Sequence, residues 1–399
     1  MMLLRIARRS LRQHALSTWI TSISIGLAGA LLLSVWVIKE QARTTFTQMD
    51  GGFDAVLGAR STKLQLVLNA IFHLEASPAN IELSDFQEIQ RNPSVAVAVP
   101  IAMGDNYRGF RVVGTTPEMF TQVEYAERRK HKVRPPGRIF DPILREAVVG
   151  SFAAQRLGLK RGDHFHPYHG LNFDEKHEHA DEYLVVGVLE PSNTPADKVI
   201  WIPLEGLQKM SGHAVEAHTD VSAVLVKLRT PMAGRTLEMQ YNREGNRLTF
   251  AWPIGATISE LLNKVGWFEK VLEWVAVLVA LVAAGSVMAS IYNSMNERRR
   301  QIAIFRALGA RRSTVLVTVL LEALFIAALG VLIAFWLYVA IVSIAGSAIR
   351  AQTGVVIDPW TWNSVMVWGP LGLIALGAAA GIVPAFKAYR VDVAENLAT

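Results

Sequence analysis

At 399 residues, with 51% hydrophobic side chains and a mean hydropathy of +0.27, the chain is too apolar for an ordinary soluble globule and long enough for two or three structural units. The absence of cysteine excludes disulfides, thiolate metal sites and cysteine nucleophiles, leaving carboxylates and histidines as the obvious ligands. The formal charge of +6 comes in clusters that abut apolar runs instead of forming an aromatic-interleaved groove, so nucleic acid is not an expected partner.

Arg5, Arg8, Arg9 and Arg12 precede an apolar stretch over residues 16–38, too long and too poor in cleavage signals for a signal peptide, and read as an uncleaved membrane anchor. A hydrocarbon layer of roughly 30 Å needs about 20 apolar residues rising about 1.5 Å each. Three later stretches also meet that length, over 267–292, 314–344 and 365–386. Basic residues favour the cytoplasmic side of short loops, which places Arg5 to Arg12, Arg298 to Arg312, and Lys387 with Arg390 inside. Residues of about 40–265 and 346–363 then lie outside, and Trp360, Trp362 and Trp368 mark an outer aromatic belt.

Between the first two spans, the runs AVAVP, FRVVG, EAVVG, EYLVVGVL, KVIWIPL and SAVLVKL read as short strands among helical patterns. In residues 51–74 the glycines read as turns, with Leu64, Leu68 and Ile71 as the buried stripe of a helix. A helix is expected over 150–159, a turn at Gly162 and Asp163 into a strand, and another strand over 182–189.

Five histidines, His164, His166, His169, His177 and His179, share the stretch 163–182 with six acids. Alternate residues of a strand face one side, so each HxH pair presents two imidazoles together. A hairpin pairing 166 with 177 also sets 164 opposite 179, and His164, His166, His177 and His179 become a candidate zinc site, with copper or nickel as further choices. Two other readings stand beside it: a solvent-exposed, histidine-rich tip, and a cluster that repels itself on protonation near pH 6. HEH does not fit the HExxH metalloprotease spacing, and no catalytic constellation accompanies it.

Glu269, Lys270 and Glu273 read as interfacial residues at the start of the second span. After that span comes NERRRQIAIFRALGARRST, six arginines interleaved with Ile302, Ile304, Phe305 and Leu308 at roughly helical spacing, the pattern of a short amphipathic helix at the inner interface. Within the third span, Glu322 stands well inside an apolar run and should face protein or water, as a partner for a neighbouring helix or as a switch. On the fourth span, Gly377 and Gly381 have GxxxG spacing, which permits close helix approach and raises the option of a dimer seam.

The loop resembles the ERxREIGIxRAxGARR motif of the MacB, LolC, LolE and FtsX-like permease family. Glu297, Arg298, Arg300, Ile302, Arg306, Ala307, Gly309, Ala310, Arg311 and Arg312 match, whereas Gln301 and Ala303 stand where Glu and Gly are usual. RIARRSLRQHALSTWITSISIGLAGALLL and PAFKAYRVDVAENL extend the likeness to all four spans and their flanks, and VVGSFAAQRLGLKRGD with YLVVGVLEP extends it more weakly to the outer domain.

The resemblance implies a membrane protein of four transmembrane helices, with a large mixed α/β extracytoplasmic domain inserted between helices 1 and 2. Its expected layout is a cytoplasmic N-terminus and first span over 1–39, a periplasmic domain over 40–265, and a 266–399 region with three spans and a cytoplasmic C-terminus in the inner membrane. It further implies a coupling helix within 297–312 that docks on a nucleotide-binding subunit. Glu297 belongs to that element; Ile302, Phe305 and Leu308 would supply its apolar contact, Arg300 and Arg306 would meet acidic rims, and Gly309 would allow a tight turn. No GxxxxGK[ST] occurs, so ATP and magnesium are expected on a partner.

The implied partners are two ATPase subunits, a second permease copy or paralogue, a periplasmic adaptor or lipoprotein, and membrane lipid. The implied role is non-catalytic mechanotransmission serving extraction or export of lipoprotein, peptide or small-molecule cargo. The alternative is a metal-responsive regulatory protein or zinc-transport component built around the histidines.

Overall fold

The computed structural model describes residues 9, 11–48, 50–211, 219–297, 299–353 and 356–389. Arg5, Arg8, Arg298, Arg390 and the end of the C-terminal motif lie outside these, as does the side chain of Phe305. The chain divides into two compact units. One comprises residues up to Ala42, Val265–Ser347 and those from Ile357 onward; the other comprises Arg43–Lys264 with Ala348–Val356.

The α/β unit starts with strand β1 (Ala55–Ala59), helix α2 (Lys63–Ala70), β2 (Ile81–Glu82), α3 (Leu83–Arg91), β3 (Val95–Tyr107) and β4 (Phe110–Thr115); helix α1 precedes it and is described below. It continues through β5 (Glu146–Val149), α4 (Ser151–Leu157), β6 (His164–Phe165), β7 (Tyr168–His169), β8 (Tyr183–Val188), β9 (Ile200–Pro203), β10 (Asp220–Val221), β11 (Ala223–Leu228), α5 (Pro231–Tyr241) and β12 (Leu248–Ala251). Among the described residues the main sheet runs β12-β1-β11-β3-β4-β9-β5-β8-β6, with β7 added beside β3. Most pairings are antiparallel, but β4 with β9 and β5 with β8 are parallel.

Both faces of this sheet are covered, which is why its strands read as unbroken apolar runs. Ala55, Leu57, Val224 and Val226 enter one core, while Val56, Ala223 and Leu225 point into the other around Trp201. Trp201 is held there by its indole N–H, which donates to the Ala196 carbonyl at 3.3 Å, and by edge contacts with Phe120 and His73.

Helix α2 begins at Thr62, whose hydroxyl accepts from the Gln65 N–H at 3.1 Å. Its buried stripe is Leu66, Val67 and Ala70, continued by Ile71, with Leu64 and Leu68 only partly buried. The stripe is thus rotated from the 64, 68, 71 expectation, because Gly58 admits Leu66 so closely that an added Cβ would meet its Cδ2 at 2.5 Å.

The remaining helices are α1 (Ala15–Gln48), α6 (Ile254–Glu297), α7 (Arg299–Ala307), α8 (Arg312–Thr353) and α9 (Val365–Tyr389), and the helical unit holds α7, α9 and the parts of α1, α6 and α8 within its bounds. Four of these are long and apolar enough to cross a membrane, over Ala15–Thr45, Gly266–Glu297, Arg312–Gln352 and Val365–Lys387. Much of their periphery is large and apolar, including Leu27, Trp274, Leu278, Val282, Trp336 and Leu371, as lipid contact requires.

Helix α1 is the hub. Its Ser17 hydroxyl bonds Ser290 of α6 at 2.7 Å, its Ser22 hydroxyl donates to the Ile326 carbonyl of α8 at 3.2 Å, and its Gly29 lies against Leu373 of α9 and Ala334 of α8. Lys39 meets Glu273 at 2.7 Å and Glu269 at 3.5 Å, while His14 meets Glu297 at 3.3 Å. These contacts make α1 and α6 an antiparallel pair tied near both ends. Glu322 is buried within the unit and Trp360, Trp362 and Trp368 are exposed.

Gly377 and Gly381 of α9 face Ala327 and Ala323 of α8, each alanine Cβ lying 2.6 Å from where a glycine Cβ would stand. The GxxxG surface raised as a dimer seam is therefore used inside the chain. Small residues serve here because nothing larger allows these backbones to approach.

Candidate functional site

The histidines fall into three separate groups. His164 and His166 lie beside Glu182 at 3.3 and 4.0 Å, and His177 accompanies Asp174 at 3.0 Å. His179 instead joins His169 around Asp105, a residue that the sequence pattern did not single out.

The hairpin register expected from the two HxH pairs does not form. His164 of β6 opposes Leu184 of β8, and Glu175–His177 is a 3-10 turn started by the Asp174 carboxylate, which accepts from the Lys176 N–H at 3.1 Å. Pro167, lacking an N–H, follows His166, and the chain then joins β3 through Asp105 opposite His169. His164 and His166 therefore share Glu182 and His177 sits apart on Asp174, all three well exposed, while His179 is buried.

Local structure builds the Asp105 group. The β3–β4 register shifts between Met103 and Asp105, a bulge at Gly104 of the kind that re-aims a side chain. Next to it, the Asn106 side-chain N–H2 donates to the carbonyls of Gly170 and Asn172 at 2.8 and 3.2 Å and its oxygen accepts from the Gly109 N–H at 3.0 Å, pinning the loop that carries His169. The His179 N–H donates to the Pro167 carbonyl at 2.9 Å. Its ring Nδ1 lies 2.6 Å from the Ser211 carbonyl. A carbonyl only accepts, so this nitrogen carries the hydrogen, and Nε2 faces Asp105 Oδ1 at 3.2 Å.

Asp105 is completely buried, and His169 Nδ1 approaches the same Oδ1 at 3.4 Å. The Asp105 carboxylate raises the His179 pKa above the ordinary imidazole value, outweighing the opposing effect of burial. The donor atoms of the three residues lie within 4.8 Å of one another. Two imidazoles and a carboxylate are a donor set suited to a divalent transition metal.

The second place of interest is α7. Ala303 is fully buried and Ile302 packs against the apolar core of the spans, whereas Ile304 and Leu308 are 44% and 80% exposed. The outward apolar pair is thus 304 and 308, one turn apart, and Ile302 serves as an inward anchor. Gly309 takes φ +99°, a left-handed conformation that a side chain would strain, and its N–H donates to the Arg306 carbonyl at 3.0 Å. Arg300 is exposed and Arg306 half-buried, and Glu297 is held by His14.

Four apolar spans enclosing an inserted α/β domain, with a short basic helix between the second and third, define a multi-pass permease. A model of the MacB-like periplasmic core domain matches residues 18–240, more than half of the chain, and one of the FtsX-like permease C-terminal region matches 274–393. The chain belongs to the MacB/FtsX-like permease family of ABC transporters.

It is similar to the macrolide export ATP-binding/permease protein MacB of Bordetella avium, at 24% identity over 99% of this chain and 60% of that protein. An ABC transporter permease of Methanocaldococcus jannaschii is 21% identical over 54% of this chain and 55% of its own length. The periplasmic region of MacB from Actinobacillus actinomycetemcomitans, a crystal structure, aligns with a TM-score of 0.36 at 11% identity, covering 53% of this chain and 94% of that one. The chain spans about 60% of the length of the full-length MacB protein it matches.

Proposed function

We propose that the chain transmits ATP-driven movement of separate nucleotide-binding subunits to its periplasmic domain, with both termini and α7 on the cytoplasmic side of an inner membrane. The observation that carries this reading is α7 itself. A nine-residue helix is anchored inward by Ile302 and Ala303, presents Ile304 outward, and is followed by the exposed Leu308 and the turn at Gly309 that joins it to α8. Such an element passes displacement to two spans at once, because α6 and α8 flank it in the chain. Leu308 with Phe305 and Ile304 forms the docking contact, Arg300 and Arg306 meet carboxylates on the ATPase, and Glu297 steadies the entry to the helix.

ATP and magnesium then reside on the partner, and two ATPase subunits pair with two permeases, identical or paralogous. Membrane lipid surrounds the spans, and a periplasmic adaptor or a lipoprotein engages the α/β unit. Cargo is a lipoprotein, a peptide or a small molecule; the printed name of the Bordetella avium relative specifies macrolide export for that protein. Co-purification with an ABC ATPase and stimulation of its turnover test the reading. The Phe305→Asp, Arg306→Glu double variant loses both, and normal assembly and turnover in that variant would exclude α7 as the docking surface.

A second reading, in which the periplasmic unit responds to zinc or belongs to a zinc-transport system, draws support from the Asp105, His169 and His179 group. Zinc-dependent change in ATPase turnover favours regulation, and zinc accumulation in cells favours transport.

A further inference from the structure

The orientation of His179 sets the problem. Its Nδ1 hydrogen is committed to the Ser211 carbonyl, so the remaining nitrogen turns toward a buried carboxylate oxygen at 3.2 Å. A neutral imidazole in that tautomer would aim its lone pair at another acceptor, an arrangement that repels unless a positive charge stands between them. His169 brings a second imidazole nitrogen to the same oxygen at 3.4 Å. A proton on Nε2 or a bound cation would each supply that charge, and the convergence of a second imidazole on the same oxygen, with all three donor atoms within 4.8 Å of one another, is the geometry of a cation site.

We propose that Asp105, His169 and His179 bind one divalent transition-metal ion of the zinc class, with the remaining coordination position open to water. At the usual bond length of about 2.0–2.1 Å, neighbouring ligands of a tetrahedral ion stand roughly 3.3 Å apart. The two measured distances to Asp105 Oδ1, 3.2 and 3.4 Å, bracket that edge. The two imidazoles meet edge to face, at 76° with their centroids 5.4 Å apart, and their donor atoms lie with that of Asp105 within 4.8 Å of one another. Nitrogen-rich coordination selects zinc, nickel or copper over magnesium and calcium, which take mostly oxygen ligands.

The outer shell is also in place. The Ser211 carbonyl fixes the His179 ring in the way that ligating histidines are usually fixed, and Ser211 is itself held by Asp181, which accepts its N–H at 2.6 Å. Asn106 holds the His169 loop. His169 is 55% exposed, giving the ion an entrance, while Asp105 and His179 form the dry floor. Binding would staple β3, β7 and the segment leading into β8, thereby ordering the stretch that carries His164, His166 and His177.

The test is a zinc titration of the full-length chain, purified in detergent without a polyhistidine tag and stripped with chelator, followed by calorimetry and by cobalt absorption as a report of coordination geometry. One zinc per chain is expected, with a cobalt spectrum of tetrahedral type. His169→Ala, at an exposed side chain that folding tolerates, weakens zinc binding at least about 10-fold. The His164→Ala, His177→Ala double variant leaves affinity unchanged. Absence of stoichiometric zinc, undiminished affinity in His169→Ala, or a comparable loss in the His164, His177 variant each overturns the proposal. None of these readouts involves an ATPase, so failure here and failure of the coupling reading are distinguishable.

Discussion

Lys39 and Glu273 meet at 2.7 Å, joining α1 to α6 at the ends that lead into the α/β unit. The partner contact at the other end, His14 with Glu297, lies 25 residues back along α1, about 37 Å at helical rise. That separation exceeds the roughly 30 Å hydrocarbon layer, long enough for the two charged pairs to lie at opposite interfaces. Reversing Lys39 to Glu should destabilise the helical unit, and adding Glu273→Lys should recover part of the loss. The expected coupling energy is about 0.5–1 kcal/mol, since both groups are only partly buried. A double-mutant cycle measured by denaturant unfolding in detergent checks this, and zero coupling would mean the pair is incidental.

The seam between α8 and α9 is tighter. Because Ala323 and Ala327 cannot retreat without moving their backbone, even one methyl at Gly381 or Gly377 must spread the helices. Gly381→Leu should cost about 1–3 kcal/mol and Gly381→Ala less, read as a lower midpoint of unfolding in detergent. Oligomeric state should not change in parallel, because the seam lies within one chain. A variant that loses self-association at unaltered stability would restore the intermolecular reading of this motif.

Two histidines, His131 buried and His73 partly so, predict acid sensitivity of the α/β unit. Burial, reinforced by the Arg111 charge, pushes the His73 pKa down to about 3, and burial lowers that of His131 to about 4. Both therefore stay neutral in the folded chain well below the value of about 6.5 at which an unfolded chain takes up the proton. In that window the unfolded state binds more protons, so stability falls as pH drops, by about 1.4 kcal/mol per pH unit for each histidine. His131 stacks on Tyr125 at 4.6 Å, and neither of its ring nitrogens has a hydrogen-bond partner among the described residues. His131→Phe keeps the stacking and should remove about half of this histidine-dependent slope between pH 6 and 5. An unchanged slope in urea unfolding would show that His131 titrates normally.

Much of the fold is legible from residue pattern. Spans declare themselves because the bilayer demands length and apolarity together, and the strands around Trp201 declare themselves because both sheet faces are covered. The glycine at 309 is equally readable, since a basic helix must stop before the third span begins. The Asp105 group is not: its carboxylate comes from β3, more than sixty residues before His169, and the bulge at Gly104 that aims it has no local signature. The HxH pairs misled because Pro167 and the Asp174 turn break the hairpin that their alternation suggests. Nor does periodicity reveal that Ala348–Val356 belongs with the α/β unit, where Arg350 lies over the Phe152 ring and the Asn193 side-chain oxygen accepts from the Val356 N–H at 2.7 Å.

The native chain has no cysteine, so single-cysteine labelling addresses the membrane arrangement without background. Leu308 is 80% exposed on the connector after α7, and Met232 is 81% exposed on the α/β unit. In intact spheroplasts, a membrane-impermeant maleimide should label Met232→Cys at once and Leu308→Cys only after permeabilisation. Labelling of Leu308→Cys from the outside, with the membrane sealed, would put the connector beyond the reach of any cytoplasmic ATPase and contradict the proposed coupling.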